Sequence, residues 1–129
     1  MRLLVDTQCW LWMTSQPQRF SKPVRDQIAG TGTELLLSAA SAWEIAIKHA
    51  LGKLRLPERP VEYLTSRLRE TRTRPLAITW EHALHVSDLP AHHRDPFDRL
   101  LIAQAQIEKV AILTADPAFA LYDVEILRP

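Results

Sequence analysis

Short apolar runs alternate with segments of helical periodicity along this 129-residue chain. We predict strands at 2–6, 34–38 and 110–116, with a short strand at 75–79 and an edge strand at 124–127. Helices are predicted between them, at 7–14, 21–30, 41–52, 61–69, 80–87 and 95–109. This alternation is typical of a mostly parallel sheet covered by helices, so the expected fold class is α/β. The length fits a single domain over residues 1–129.

Four acidic residues lie where a predicted strand ends or a predicted helix begins. They are Asp6, Glu44, Asp98 and Asp116. Ligands of open α/β sheets bind beyond the carboxyl ends of the strands, so we expect these four side chains to converge there. Carboxylates that converge repel one another unless they are protonated or bound to a divalent cation. Oxygen ligands of this kind suit Mg²⁺, for which Mn²⁺ can substitute.

Three of these acids also have a purely structural explanation. Glu44 occupies the fourth position of a helix-capping box that begins at Ser41. Asp98 lies in the first turn of a helix, where the helix dipole stabilises negative charge, and Asp116 precedes a proline in a sequence typical of a turn. Asp6 has no comparable capping role, because it follows a buried strand directly. The coincidence of all four favours a shared metal site.

The predicted site has the composition of a phosphodiesterase centre acting on nucleic acid. Asp6 and Asp98 are the expected metal ligands, and the other two acids complete the ligand set or hold the attacking water. Thr7 and Thr114 are secondary candidates, because a hydroxyl there can hydrogen-bond a carboxylate or a phosphate. Asp95, one turn before Asp98, is a further candidate, although capping of the helix is its favoured role.

Basic side chains precede and follow the start of the last helix. His92 and His93 invite a transition-metal interpretation, but adjacent loop residues are not the usual spacing for two ligands of one ion. Arg94 and Arg99 are instead candidates for holding the scissile or flanking phosphates.

Composition and charge say more about the cellular compartment of the protein than about its activity. The net charge is +1, but residues 53–74 carry seven Lys or Arg side chains, which indicate either a phosphate-contacting edge or a solvated helix face with ion pairs. The single Cys9 cannot form an internal disulfide and fits a reducing compartment. No apolar run approaches the length of a membrane span, so a cytoplasmic protein without membrane contact is expected.

These residues together resemble the PIN-domain nucleases, specifically the VapC toxins of bacterial toxin–antitoxin pairs. The resemblance extends over nearly the whole chain. It is most specific in the run Asp95-Pro96-Phe97-Asp98-Arg99, which continues to residue 105. The other matching stretches are 3–7, 11–12, 37–48, 51–54, 89–94 and 113–116.

The resemblance implies a three-layer α/β/α fold and a Mg²⁺-dependent endoribonuclease that cuts single-stranded RNA. It also implies inhibition by a cognate VapB-type antitoxin and a homodimer. The acidic quartet of the family corresponds to the four acids already chosen. Many relatives carry His where Gln8 stands here, which affects substrate or antitoxin contacts rather than the metal ligands.

Such antitoxins place a basic side chain into the acidic site, where it competes with the metal. We expect the apolar region of Trp10, Trp12 and Trp43 to form the groove in which the antitoxin docks.

Several alternatives remain at this point. A phosphotransfer enzyme or receiver domain also places an Asp after the first strand, but Thr7 and Gln8 supply no second acid and no late-strand Lys is evident. A non-catalytic RNA-binding PIN module and a metal-dependent DNA nuclease fit the same residues. The RNA itself, whether tRNA, rRNA or mRNA, cannot be read from the chain.

Overall fold

A single sheet forms the centre of the molecule. The computed structural model describes residues 1–129. Its strands are β1 (Arg2–Val5), β2 (Glu34–Ser38), β3 (Thr73–Leu76), β4 (Ala111–Leu113) and β5 (Ile126–Leu127). They lie in the order β3-β2-β1-β4-β5, and every neighbouring pair is parallel. The expected parallel sheet with an edge strand near the carboxyl terminus is confirmed.

Six α-helices connect the strands. They are α1 (Thr7–Ser15), α2 (Lys22–Ala29), α3 (Ala39–Ala50), α4 (Pro60–Glu70), α5 (Trp80–His85) and α6 (Pro96–Glu108). Short 3₁₀ turns occupy Pro17–Arg19, Val86–Asp88 and Pro117–Leu121. None of the helices combines the length and the apolar character that crossing a bilayer requires.

The central strands are apolar on both faces, which explains why helices cover both sides. Leu3 and Val5 of β1 belong to one hydrophobic core, which also receives side chains from α1, α2 and α4. Leu4, which points the opposite way because strand side chains alternate, belongs to a second core built with α6. The two cores on opposite sheet faces make the three-layer α/β/α arrangement that the family resemblance implied.

Several element boundaries differ from the prediction, three of them next to the strands that carry the site. The strand predicted at 110–116 ends at Leu113, so Asp116 lies in the turn that follows it. The short strand predicted at 75–79 is β3, which runs from Thr73 to Leu76 beside β2. The third helix begins at Ala39 rather than at residue 41, because the Ser38 hydroxyl caps it by accepting a hydrogen bond from Ala40 N.

The strand order fixes where a ligand can enter. From β1 the chain moves outward to β2 and β3 on one side, and later to β4 and β5 on the other. The carboxyl ends of β1 and β4 therefore flank the point at which the connections diverge, which is the usual ligand crevice of open parallel sheets. Asp6 directly follows β1, and Asp116 follows β4 by a short turn.

Candidate active site

Asp6 is held rigidly at the carboxyl end of β1. One carboxylate oxygen, Oδ1, accepts a hydrogen bond of 2.7 Å from Cys9 N, which makes Asp6 the N-cap of α1. The other oxygen accepts a hydrogen bond of 2.5 Å from the Thr114 hydroxyl. The expectation that Asp6 has no capping role is therefore wrong, because α1 begins immediately after the strand. Burial raises the pKa of this carboxyl, while the hydrogen bonds from Thr114 and Cys9 lower it.

Glu44 extends from the second turn of α3 into the same cleft. Because α3 begins at Ala39, Glu44 lies beyond the capping position, and the capping-box explanation for it is wrong. Its side chain is buried, and Oε2 lies 2.6 Å from Lys48 Nζ one helical turn away. This ion pair could have been found in the sequence from its i,i+4 spacing.

Asp98 is the acid whose ionisation the fold opposes most clearly. Its pKa is raised to about 7, first by burial and then by repulsion from Asp95, Glu44 and Asp6, with His93 acting in the opposite direction. Asp95 caps α6, as expected, because its Oδ1 accepts hydrogen bonds from Phe97 N at 2.9 Å and Asp98 N at 3.4 Å.

Asp116 completes the group from the β4 side. Its Oδ1 accepts a hydrogen bond of 2.9 Å from Ala118 N, so the turn suggested by the sequence is present as well. Its Oδ2 lies 3.0 Å from His93 Nε2, which also lies 3.1 Å from Asp98 Oδ2. Possible ligand atoms of His93, Asp98 and Asp116 all lie within 4.8 Å of one another.

His93 is the site residue that sequence reasoning undervalued. The argument against a pair of adjacent loop histidines holds for the pair, because the His92 ring packs instead against Tyr122. It does not hold for His93 alone, whose Nδ1 accepts from Asp95 N while Nε2 faces the two carboxylates. The Tyr122 hydroxyl accepts hydrogen bonds from the backbone N–H groups of both histidines, which fixes the loop.

The predicted acids line one cleft. The cleft has a volume of about 580 Å³ and is lined by five carboxylates, those of Asp6, Glu44, Asp95, Asp98 and Asp116. Two of these acids, Asp6 and Asp98, have raised pKa values because burial and neighbouring charges disfavour ionisation. A divalent cation would relieve that cost, since it stabilises several ionised carboxylates at once. The donor set, oxygen-rich with one imidazole, fits Mg²⁺ or Mn²⁺.

The two threonines lie in the site with different partners. Thr114 hydrogen-bonds a carboxylate, as proposed from the sequence, and does so on Asp6. Thr7 lines the cleft, but its hydroxyl donates 2.9 Å to the Ser41 hydroxyl and so ties α1 to α3. Gln8 is exposed and also lines the cleft.

Neither arginine expected to hold phosphate contributes to the cleft wall. Arg99 donates hydrogen bonds to the carbonyl oxygens of Pro90 at 2.9 Å and Val86 at 3.0 Å, and to the Tyr122 hydroxyl at 3.3 Å. The expectation that Arg99 holds a substrate phosphate is therefore corrected, because its guanidinium holds the loop before α6. Arg94 is exposed outside the residues that line the cleft. The basic side chains of the lining are Lys48 and Lys53.

The structure removes one of the three tryptophans from the expected docking groove. Trp10 is fully buried and packs edge-on against Tyr63, so it offers no docking surface. Trp12 packs against Phe20, and Trp43, which is 60% exposed, packs against Phe97.

Basic side chains of segment 53–74 lie in different surroundings. Arg67 pairs with Glu58 and Arg74 with Glu34 on the surface, whereas Lys53 lines the cleft. Gly52, whose backbone is left-handed (φ 73°), lies in the turn between α3 and Lys53.

Part of the chain is similar in sequence to a known ribonuclease. Ribonuclease VapC16 of Mycobacterium tuberculosis is 51% identical over 51 residues, which are 40% of this chain and 36% of that relative. The match thus spans about a third of the relative's length.

Solved structures share the fold across nearly the whole chain at low sequence identity. VapBC2 from Rickettsia felis, bound to a DNA fragment from its promoter, has a TM-score of 0.76 at 12% identity, covering 99% of this chain and 98% of that chain. A toxin–antitoxin complex from Klebsiella pneumoniae has a TM-score of 0.58 at 15% identity, covering 92% and 90%. The sequence also matches the PIN domain family over residues 3–125. With its parallel sheet and its acidic cleft at the divergence of β1 and β4, the chain belongs to the PIN domain family.

Proposed function

We propose that this protein is a metal-dependent endoribonuclease of the VapC toxin type. The observation that carries the proposal is the five-carboxylate cleft in which burial and mutual repulsion raise the pKa of Asp98 to about 7. Ionising several acids this close together costs free energy, and binding of a divalent cation offsets that cost. Such a cluster is therefore typical of a metal-binding site. The similarity to a ribonuclease named VapC16 supports RNA as the substrate.

Asp6, Glu44, Asp98 and Asp116 would hold the cation, with Mg²⁺ as the physiological ion and Mn²⁺ as a substitute. When bound, such an ion makes water more acidic and neutralises the charge that develops on the leaving oxygen of a phosphodiester.

The protein supplies positions and charge around that chemistry. Thr114 orients Asp6 and favours its ionised form by donating to its Oδ2 atom. His93, between Asp98 and Asp116, fixes the separation of those two carboxylates and is a candidate ligand itself. Single-stranded segments are the expected substrates, because an acidic crevice at a sheet edge cannot reach bases inside a duplex.

A partner is also part of the proposal. Related folds occur in VapBC and toxin–antitoxin complexes, which supports a VapB-like antitoxin for this chain. The homodimer is proposed from the resemblance to VapC toxins. A basic side chain of the antitoxin placed among five carboxylates would compete with the cation and block cleavage. The test is whether a co-expressed product of an adjacent small reading frame binds the protein and suppresses its activity.

The activity test compares RNA and single-stranded DNA of one sequence, each with Mg²⁺, Mn²⁺ or EDTA. We expect cleavage of RNA with either metal, none in EDTA, and losses of about 100-fold or more in Asp6→Ala and Asp98→Asn. Asp26→Asn is the matched control, because this exposed acid pairs with Lys22 on α2, outside the cleft. Cleavage that survives in EDTA, or in both cleft variants, would contradict the proposal.

The same experiment separates the alternatives. Equal cleavage of DNA would point to a general single-strand nuclease. RNA binding without cleavage in any metal would point to a non-catalytic PIN module.

A further inference from the structure

The cations that line the acidic cleft are lysines. Of the residues lining it, Lys48 and Lys53 are the basic ones, against five carboxylates. Even with one divalent ion bound, the cleft would keep a formal negative charge, which repels the phosphates of a nucleic acid. Arg99 is held by the carbonyl oxygens of a loop and cannot relieve that repulsion. A substrate phosphate therefore has few cations to contact inside the cleft.

Lys48 is placed differently from Lys53, because it already contacts one of the acids. Its Nζ atom lies 2.6 Å from Glu44 Oε2. The lysine side chain is 50% exposed, whereas the glutamate side chain is 7% exposed. The pKa of Lys48 is raised by the hydrogen bond to Glu44 and by the nearby charges of Asp95 and Asp98, so the ammonium is charged at neutral pH.

This contact and metal binding by Glu44 compete for the same oxygen. Two cations at one carboxylate oxygen repel each other strongly in a buried setting. Glu44 is buried in the cleft wall, while Lys48 has a flexible, half-exposed side chain, so the lysine is the partner free to move. Rotation of that side chain keeps the ammonium at the mouth of the cleft, because its backbone remains fixed on α3.

We propose that Lys48 is a substrate-positioning residue that contacts Glu44 in the metal-free protein and a phosphate of the RNA backbone once a divalent cation occupies the cleft. The inference rests on the proposed function, because it assumes a metal and a phosphodiester in this cleft. It assigns to one side chain two successive partners, an acid of the protein and a phosphate of the substrate.

The proposal predicts opposite effects on two binding reactions. Lys48→Met removes the competitor for Glu44, so Mn²⁺ measured without RNA by electron paramagnetic resonance should bind about threefold to tenfold more tightly. The same change removes a phosphate contact, so a short fluorescein-labelled single-stranded RNA should bind more weakly in Ca²⁺. The slope of the logarithm of the RNA association constant against log salt concentration, which is negative, should then become shallower by roughly 0.7.

Lys22→Met is the matched control. Lys22 forms the same kind of i,i+4 ion pair, with Asp26 at 2.8 Å, on a helix outside the cleft. It should change neither the Mn²⁺ affinity nor the salt slope. Circular dichroism of both variants checks that the fold is retained, which is expected because Met is a good helix former.

Tighter Mn²⁺ together with weaker RNA supports the inference. Weaker binding of both Mn²⁺ and RNA would mean that Lys48 only holds Glu44 in place, and this result overturns the inference. The inference is also overturned if Lys48→Met behaves like Lys22→Met. In either case a wild-type protein that cleaves RNA with metal leaves the proposed function standing. A wild-type protein that neither binds Mn²⁺ nor cleaves RNA contradicts both.

Discussion

The Thr114 hydroxyl donates a hydrogen bond of 2.5 Å to the Oδ2 atom of Asp6, although 108 residues separate the two in sequence. The contact joins the ends of β1 and β4, the two strands that flank the ligand crevice. Since Cys9 N occupies the other oxygen, both carboxylate oxygens of Asp6 are fixed before any ligand arrives. Such a carboxylate loses little conformational entropy on binding a cation.

Loss of this hydroxyl should weaken metal binding. In Thr114→Val the pKa of Asp6 rises further, because a hydrogen bond that favours the ionised form is gone. We expect about tenfold weaker Mn²⁺ binding at pH 7, measured by titration calorimetry. Thr114→Ser keeps the hydroxyl and should stay near the wild type. Equal affinity in the Val and Ser variants would show that the contact is irrelevant to the metal.

Metal-free protein should become less stable as the pH rises towards neutrality. The carboxyl of Asp98 has a pKa of about 7 in the folded protein, above its value of about 3.9 in an unfolded chain. Between these values the folded state retains a proton that the unfolded state has released. The free energy of unfolding therefore falls as pH rises from about 4 to about 7, and this loss persists above that range. Burial of Asp6 acts in the same direction.

Urea unfolding in EDTA at pH 5 and pH 8 measures this effect. Asp98→Asn should stabilise the metal-free protein at pH 8 by roughly 2–4 kcal/mol and reduce the difference between the two pH values. Mg²⁺ should restore stability to the wild type at pH 8 but not to the variant. A pH difference that is the same in both proteins would contradict the assignment to Asp98.

Removal of His93 should alter the choice of metal. The imidazole lies between Asp98 and Asp116, and nitrogen ligands favour Mn²⁺ and Zn²⁺ over Mg²⁺. In His93→Gln we expect the ratio of Mn²⁺ to Mg²⁺ affinity to fall about tenfold. His92→Gln, one residue away on Tyr122, is the control and should leave the ratio unchanged. The same ratio in both variants would exclude His93 from the metal site.

Arg99 should matter for stability more than for substrate charge. Its guanidinium holds the loop before α6 through the carbonyl oxygens of Pro90 and Val86. Arg99→Met removes both hydrogen bonds and leaves the Pro90 carbonyl oxygen without this donor, so it should lower the free energy of unfolding by about 1.5–3 kcal/mol. The salt slope of RNA binding, measured by fluorescence anisotropy, should not change. Arg94→Met is the control, because Arg94 is exposed and should show no loss of stability. A changed salt slope in Arg99→Met would instead indicate that Arg99 contacts phosphate.

The amino-acid sequence alone determined the fold class and the main acids. Apolar runs alternating with helical periodicity fix parallel strands under helices, because strands buried on both faces need apolar residues at every position. Parallel strands also send their carboxyl ends to one edge. An acid at the end of a strand, such as Asp6 after β1, is therefore expected at the same sheet edge as the other acids, and the sequence is enough to predict this.

Only the tertiary structure decided which atoms meet inside that location. Thr114 reaches Asp6, and His93 reaches Asp98 and Asp116, because neighbouring strands and a loop fixed by Tyr122 bring distant segments within hydrogen-bonding distance. Arg99 is held away from the cleft for the same kind of reason, since the carbonyl oxygens of Pro90 and Val86 lie within hydrogen-bonding distance of its guanidinium. A hydrogen bond requires its donor and acceptor to be placed to within a few tenths of an ångström, and sequence periodicity does not specify positions that finely.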